Sequence, residues 1–215
     1  MTARPLAARR IPGTAAEAIA DPATCAILLW DLQYGLGGHA LELESLVARW
    51  TALRDAARAA GAAVVRSRHI SAPLDQLDDV EIWRLMRKQK VERPTDLAPF
   101  MAPGTHDVEF LAGLEPGPEE IVITKAVPSL FVNTDAEARL RNVGVRTLLL
   151  AGVATDIGIE FTARHAMALG FMPITITDAC GTYTSDAQQR GLACLEAFTL
   201  TATTSEILEC WGRDS

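Results

Sequence analysis

A single doubly wound α/β domain, with a six-stranded parallel sheet flanked by helices, is the fold class this sequence predicts. Three observations carry it. Short apolar runs alternate with stretches of helical periodicity, the pattern of successive strand–helix units. The runs are nearly continuous in apolar residues, as expected of strands covered on both faces. The chain has 215 residues, 49% of them hydrophobic and 22% charged, which suits one domain with a sizeable buried core.

Residues 1–22, rich in Ala, Pro and Arg, read as an extended N-terminal arm, and 23–215 as the domain. The arm has arginines but no apolar stretch, so it does not read as a secretory signal. Cys25–Trp30 is a short apolar run that stops at Asp31, hence a buried strand. Leu43, Leu46, Val47, Trp50, Leu53 and Ala57 follow helical spacing, with Gly61 where a C-terminal cap belongs. Ala62–Arg66 is the second strand. Residues 70–120 are irregular and Pro-rich, with one short helix at Asp79–Lys90. Ile121–Thr124 is a strand, Thr134–Asn142 a helix ended by Gly144, and Val145–Ala151 the clearest strand of the chain. Ile157–Leu169 is a helix closed by Gly170, followed by a strand at Met172–Thr177. Ser185 can cap a helix running through Thr199, and Ser205 a last one reaching Trp211. Six such strands fit one doubly wound domain. No stretch approaches the ~18 uninterrupted apolar residues of a spanning helix, and no repeat is visible.

With 20 Lys+Arg against 27 Asp+Glu the formal net charge is −7, which argues against a protein that binds by neutralising phosphates. Neither nucleic acid nor membrane is expected as a partner. Cys25, Cys180, Cys194 and Cys210 form no C-x-x-C pair, so the cysteines predict neither a zinc site nor a disulfide framework and suit a reducing cytoplasm.

In open α/β sheets the site lies at the carboxyl ends of the strands. Those ends read Trp30-Asp31-Leu32-Gln33, Thr124-Lys125, Gly152-Val153-Ala154-Thr155-Asp156-Ile157-Gly158 and Thr177-Asp178-Ala179-Cys180. An acid, an ammonium and a turn feeding a helix N-terminus therefore converge on one crevice: Asp31 for proton transfer, Lys125 for charge control, the turn for an anion. The plainer alternative is a turn-capping Asp31 and a solvated Lys125. Gly35–Ala40 matches G-x-G-x-x-A, the dinucleotide-binding pattern, but Asp31, Gln33 and Tyr34 intervene after the strand and no acid ends the second strand. These glycines read instead as a flexible loop, and no cofactor is expected.

Asp31-Leu32-Gln33, Lys125 followed by Ser129 and Phe131, and GVATDIGIEFTARHA at 152–166 resemble the isochorismatase-like hydrolase superfamily over about Cys25 to Trp211. The resemblance implies a six-stranded parallel sheet of Rossmann-like order, a homo-oligomer and a small-molecule substrate. Most members are cysteine hydrolases with an Asp–Lys–Cys triad. By similarity Asp31 is the acid/base and Lys125 the second member, and a cis peptide falls at Val153–Ala154. The nucleophilic cysteine is expected at position 158, where this chain has Gly158; the amides of Ala154 and residue 158 would form the oxyanion hole. Glycine cannot form a thioester. True isochorismatases also carry glycine there and protonate a vinyl ether, whereas Ala154-Thr155-Asp156 resembles the cysteine-hydrolase branch.

The expectation is thus a hydrolase acting on a small carboxylate- or carbonyl-bearing molecule through Asp31, Lys125 and Gly158, without a covalent thioester, with vinyl-ether hydrolysis the favoured reaction. Gln33, Ala154, Thr155 and Phe131 are the expected substrate contacts. The alternative is a catalytically silent binding or scaffold member. Cys180, just past the fifth strand, reads as a small buried thiol, the alternative being a migrated nucleophile, and Cys194 as a core residue on a helix. His39 and His69 lack the spacing of a nicotinamidase-like metal site, so no metal is expected, and His106 and His165 read as surface or packing residues. Trp83, Phe100 and Phe110 lie in the segment that often closes over such crevices and line either the pocket or the core.

Overall fold

Cys25–Trp30 (β1), wholly apolar and wholly buried, is the central strand of a computed structural model that describes residues 11–212. The other strands are Ala63–His69 (β2), Ile121–Lys125 (β3), Thr147–Val153 (β4), Met172–Gly181 (β5) and Leu200–Ala202 (β6). All neighbours pair parallel, in the order β3-β2-β1-β4-β5-β6. The chain leaves β1 toward β2 on one side and returns to β4 on the other. The crevice at the carboxyl ends of β1 and β4 is therefore the topological switch point of a doubly wound sheet.

Seven α-helices are present among the described residues: Ala15–Ala18 (α1), Leu43–Ala60 (α2), Asp79–Gln89 (α3), Ala136–Asn142 (α4), Glu160–Ala168 (α5), Ser185–Glu196 (α6) and Thr204–Trp211 (α7). Alternation along β1 divides the core in two. Ile27 and Leu29 pack with Leu46, Trp50, Leu53, Ile207 and Trp211 from α2 and α7. Ala26, Leu28 and Trp30 face Leu140, Ala163, Ala166 and Leu195 from α4, α5 and α6. That parity turns the Trp30 indole toward the start of α5.

Several elements differ from the sequence reading. Residues 1–10 of the expected arm lie outside the described residues; of the rest, Ala15–Ala18 is one helical turn and Ile19 is buried in the core. β2 runs three residues past Arg66, because the polar residues Arg66 and Ser67 are buried with partners: Arg66 with Glu120, Ser67 with Asp31. β5 likewise runs on to Gly181. Its Asp178 therefore lies within the strand, where it accepts from the amide and hydroxyl of Thr204 at the start of α7. The helix expected through Thr199 stops at Glu196, which frees Leu200–Ala202 as the edge strand. The last helix is capped by Thr203, whose hydroxyl and Glu206 form a reciprocal capping box, not by Ser205. Gly35–Ala40 is a packed turn: Gly35 and Gly38 donate to Asp107 O and Gln33 O, and a Cβ at Gly37 would lie 3.1 Å from Asp31 O. No described helix is long and apolar enough to cross a membrane.

Candidate functional site

Period-two geometry brings the polar groups together. Asp31 follows β1 in a left-handed backbone conformation, φ 51°. Ser67 and His69 share one face of β2, and His69 pairs in register with Lys125, the last residue of β3. The Asp31 amide donates to Ser67 Oγ at 2.8 Å, and that hydroxyl donates back to Asp31 Oδ1 at 2.6 Å. Lys125 Nζ donates to Asp31 Oδ2 at 2.8 Å, with the two side chains 1% and 7% exposed. Nζ also lies 3.3 Å from His69 Nδ1 and 4.2 Å from the centre of the Trp30 ring.

Charge in this cluster follows from burial. Desolvation pulls the Lys125 ammonium below its usual range, against the opposing pull of the Asp31 carboxylate. His69 is pushed down to about 2, first by burial and then by Lys125, Arg84 and Lys88, so the imidazole is neutral. An ammonium has no acceptor to offer, so His69 Nδ1 accepts from Lys125 and Nε2–H donates to Ser71 Oγ, 3.2 Å away.

The opposite wall is the end of β4 and the turn after it. Thr155–Ile159 forms a π-helical turn leading into α5, and the Val153–Ala154 peptide is cis. Two glycines accommodate Trp30, one at its backbone and the other at its indole. Gly152 has φ 127° and pairs with Trp30, where a Cβ would lie 2.3 Å from Trp30 O. Gly158 has no such backbone requirement, yet its Cβ would lie 2.2 Å from Trp30 Nε1.

Between these walls lies a cavity of about 60 Å³, lined by Asp31, Lys125, His69 and Trp30, by Ala154 and Gly158, and by Arg84, Lys88, Phe100 and Tyr183 at its mouth. Arg84 is held by Glu81. Lys88 makes no ion pair among the described residues and lies over the rings of Phe100 and Tyr183. None of the four cysteines lines the cavity. Cys25 opens β1 at the end of the sheet opposite Asp31; its Sγ donates to Ala18 O and Asp21 O, and burial raises its thiol to about 11. Cys180 is buried against Leu150 O. No cluster of three or more His, Cys, Asp or Glu side chains is placed to hold a metal among the described residues.

Residues 25–207 match the isochorismatase domain. The chain belongs to this family. It is 34% identical over 120 residues to YwoC, an uncharacterized isochorismatase family protein of Bacillus subtilis, covering 55% of this chain and 58% of that one. It is 29% identical over 177 residues to the ureidoacrylate amidohydrolase RutB of Agrobacterium fabrum, covering 74% and 76%. The chain thus spans little more than half the length of the first of these relatives. A cysteine hydrolase from Pseudomonas syringae pv. phaseolicola shares the fold, with a TM-score of 0.74 at 23% identity over 90% of this chain and 95% of that one.

In this isochorismatase-family fold Asp31, Lys125, Gly158 and Ala154 come together at the cavity, and three other expected contacts do not reach it. The Gln33 side chain is fully buried behind Asp31. It donates to His69 O and Val108 O and accepts from the His69 amide, stapling β2 to the loop at 106–110. The Thr155 hydroxyl is spent on Gln188. Phe131 packs against Phe171 and His165. Of the aromatic trio, Phe100 lines the cavity, Trp83 is 60% exposed under Arg87, and Phe110 pairs with Gln33 outside it. Cys194 is half-buried beside Glu160 and Arg164 on the helix surface.

Nothing in the sequence alone marks His69, Trp30, Arg84, Lys88 or Tyr183 as cavity-lining residues. For His69 the available signal was its parity with Ser67, which becomes visible once β2 is carried to its full length.

Proposed function

We propose that this protein is a hydrolase of a small, carboxylate-bearing enol ether, acting through the Asp31–Lys125 pair without a covalent enzyme intermediate. The observation that carries this reading is a buried acid–ammonium pair, 2.8 Å apart, opening on a cavity whose lining includes Gly158 and no thiol. RutB of Agrobacterium fabrum, a relative, is named for hydrolytic chemistry, which supports the reaction class.

Both oxygens of Asp31 accept hydrogen bonds, from Ser67 and Lys125, which is the arrangement of an ionised carboxylate. In the proposed cycle, substrate binding expels water and favours the neutral form of the pair, so that Lys125 passes a proton to Asp31. Asp31 delivers it to the terminal enol-ether carbon, and the π pair becomes the new C–H bond. The ether oxygen carries the resulting cation. Water adds to the carbon bearing that oxygen, giving a hemiketal, and returns a proton to the pair. The hemiketal then breaks its C–O bond to release an alcohol and a ketone. The amides of Ala154 and Gly158, beside the start of α5, would face the departing alcohol oxygen, on which negative charge builds as the hemiketal C–O bond breaks.

A second reading, a silent binding member of the fold, draws on the same Gly158 and on the Trp30 indole packed against it. Turnover separates the two. Vinyl ethers (isochorismate first), amides and ureides are offered to the wild type and to Asp31→Asn. The expected result is turnover of a vinyl ether that falls at least a hundredfold in the variant. Turnover untouched by Asp31→Asn would overturn the mechanism, and no turnover of any of the three classes would favour the silent reading.

A further inference from the structure

The residue that most shapes the cavity is Trp30. It closes β1 on the face that meets α5, is 1% exposed, and carries the Lys125 ammonium over its ring. A side chain at position 158 would begin 2.2 Å from Trp30 Nε1, 2.6 Å from Cε2 and 2.8 Å from Cζ2. Nothing in the backbone at 158 calls for glycine, since its φ lies outside the left-handed region. In a helical turn alanine is ordinarily the better residue. What calls for glycine is the indole, a rigid bicycle pinned between the sheet and α5, with no flexible end that can swing aside. The Trp30 N–H has no acceptor among the described residues, although it sits on the cavity wall where the first atoms of a residue-158 side chain would stand.

We propose that Trp30 and Gly158 are a matched pair that sets the reaction class of the crevice. The indole fills the position from which a nucleophile would act, and its free N–H faces an oxygen of the substrate. This deepens the reading of a non-covalent hydrolase and rests on it for the identity of the substrate. The steric pairing itself is independent of turnover. A thiol at 158 then requires removal of Trp30, so a covalent route is closed by two residues, not one.

The test compares the wild type, Trp30→Val, Gly158→Cys and the double variant Trp30→Val/Gly158→Cys by thermal melting and by peptide-resolved alkylation with iodoacetamide. Gly158→Cys alone is expected to melt roughly 5–10 °C below wild type, the cost of overpacking a closed site. Its introduced thiol should be alkylated no faster than buried Cys180. In the double variant the melting temperature should exceed that expected from adding the two single shifts, and the introduced thiol should react at least tenfold faster than in Gly158→Cys. Only the double variant should give a one-equivalent burst with p-nitrophenyl acetate, beyond the background of Trp30→Val. There the sulfur bonds to the acetyl carbon, the C–O bond breaks to release p-nitrophenolate, and the thiol proton goes to water. Where loss of the indole prevents folding, Gly158→Ala alone decides by sign: the pairing lowers its melting temperature, whereas an open position raises it. The proposal is overturned if Gly158→Cys melts with the wild type, if the two single effects simply add, or if the single variant reacts as fast as the double. None of these outcomes depends on Asp31-dependent turnover, so failure here is distinguishable from failure of the proposed function.

Discussion

Replacing Lys125 with Met tests whether the buried pair is held as an ion pair. The partners lie 2.8 Å apart, 1% and 7% exposed. At an effective dielectric of about 20 their attraction is roughly 6 kcal/mol, against a desolvation cost of several kcal/mol for each ion. The intact pair therefore adds little net stability. Removing one member is different, because Asp31 would keep only Ser67 as a side-chain hydrogen-bond donor in a nearly closed site. Such orphaned charges typically cost about 3–5 kcal/mol, or roughly 6–20 °C in melting temperature for a chain of this size. Lys125→Met is expected to lose that much in urea unfolding at unchanged m-value, and Asp31→Leu/Lys125→Met to regain most of it. The control is Arg93–Asp96, equally close at 2.9 Å but 74% and 37% exposed, where Arg93→Met should cost at most about 1 kcal/mol. A Lys125→Met loss no larger than the control's, or strict additivity in the double variant, would refute the reasoning.

His69 makes stability depend on pH in the acid range. Its pKa is lowered to about 2 in the fold, while the unfolded chain titrates near 6.5. Below about pH 6.5 the unfolded state binds the extra proton, so stability falls with pH at up to about 1.4 kcal/mol per unit. Between pH 6.5 and 4.5 the wild type should lose roughly 2–3 kcal/mol more than His69→Asn, measured by urea midpoints at each pH. Gly152→Ala combines φ 127° with a Cβ 2.3 Å from Trp30 O; it should cost at least about 3 kcal/mol or fail to fold, and a melting temperature within 2 °C of wild type would contradict the geometry. Lys88→Ala should raise KM for a carboxylate substrate about tenfold with kcat little changed, and the difference should shrink as salt rises; an equal loss in kcat would place Lys88 in the chemistry instead.

Much of this was legible in the chain because β1, β4 and α2 announce themselves through continuous apolar runs and a helical stripe ended by Gly61, which adopts φ 77°. Asp31 and Lys125 followed from asking what stands at strand ends, and Gly158 from the resemblance to the family's nucleophile position. What escaped is polar and buried. Ser67-Arg68-His69 falls past the expected end of the strand because local propensity does not know that Asp31 will bond Ser67. Ending β2 early moved His69 off the edge, and ending β5 early put Asp178 there in place of Tyr183. β6, three residues long, has too few positions to display a period of its own. Gln33 shows the reverse error: a polar residue beside the site attracts a substrate role, yet its amide is wholly occupied with His69 and Val108.

The geometry also divides the labour among the cations. Lys125 has three N–H donors, and the protein offers three acceptors: Asp31 Oδ2, His69 Nδ1 and the face of the Trp30 ring. An ammonium so enclosed has nothing left for a substrate carboxylate without breaking one of these contacts, and its charge acts through Asp31. Under the proposed function, recognition of a substrate anion then falls to Arg84 and Lys88, which line the same cavity. Of these, Arg84 is already shared with Glu81, while Lys88 has only aromatic faces beneath it. In the proposed mechanism, separating the charge that governs the proton from the charge that attracts the substrate lets each be altered alone. Salt or Lys88→Ala should move binding without touching the proton step, and Lys125→Met should abolish the proton step even where substrate still binds.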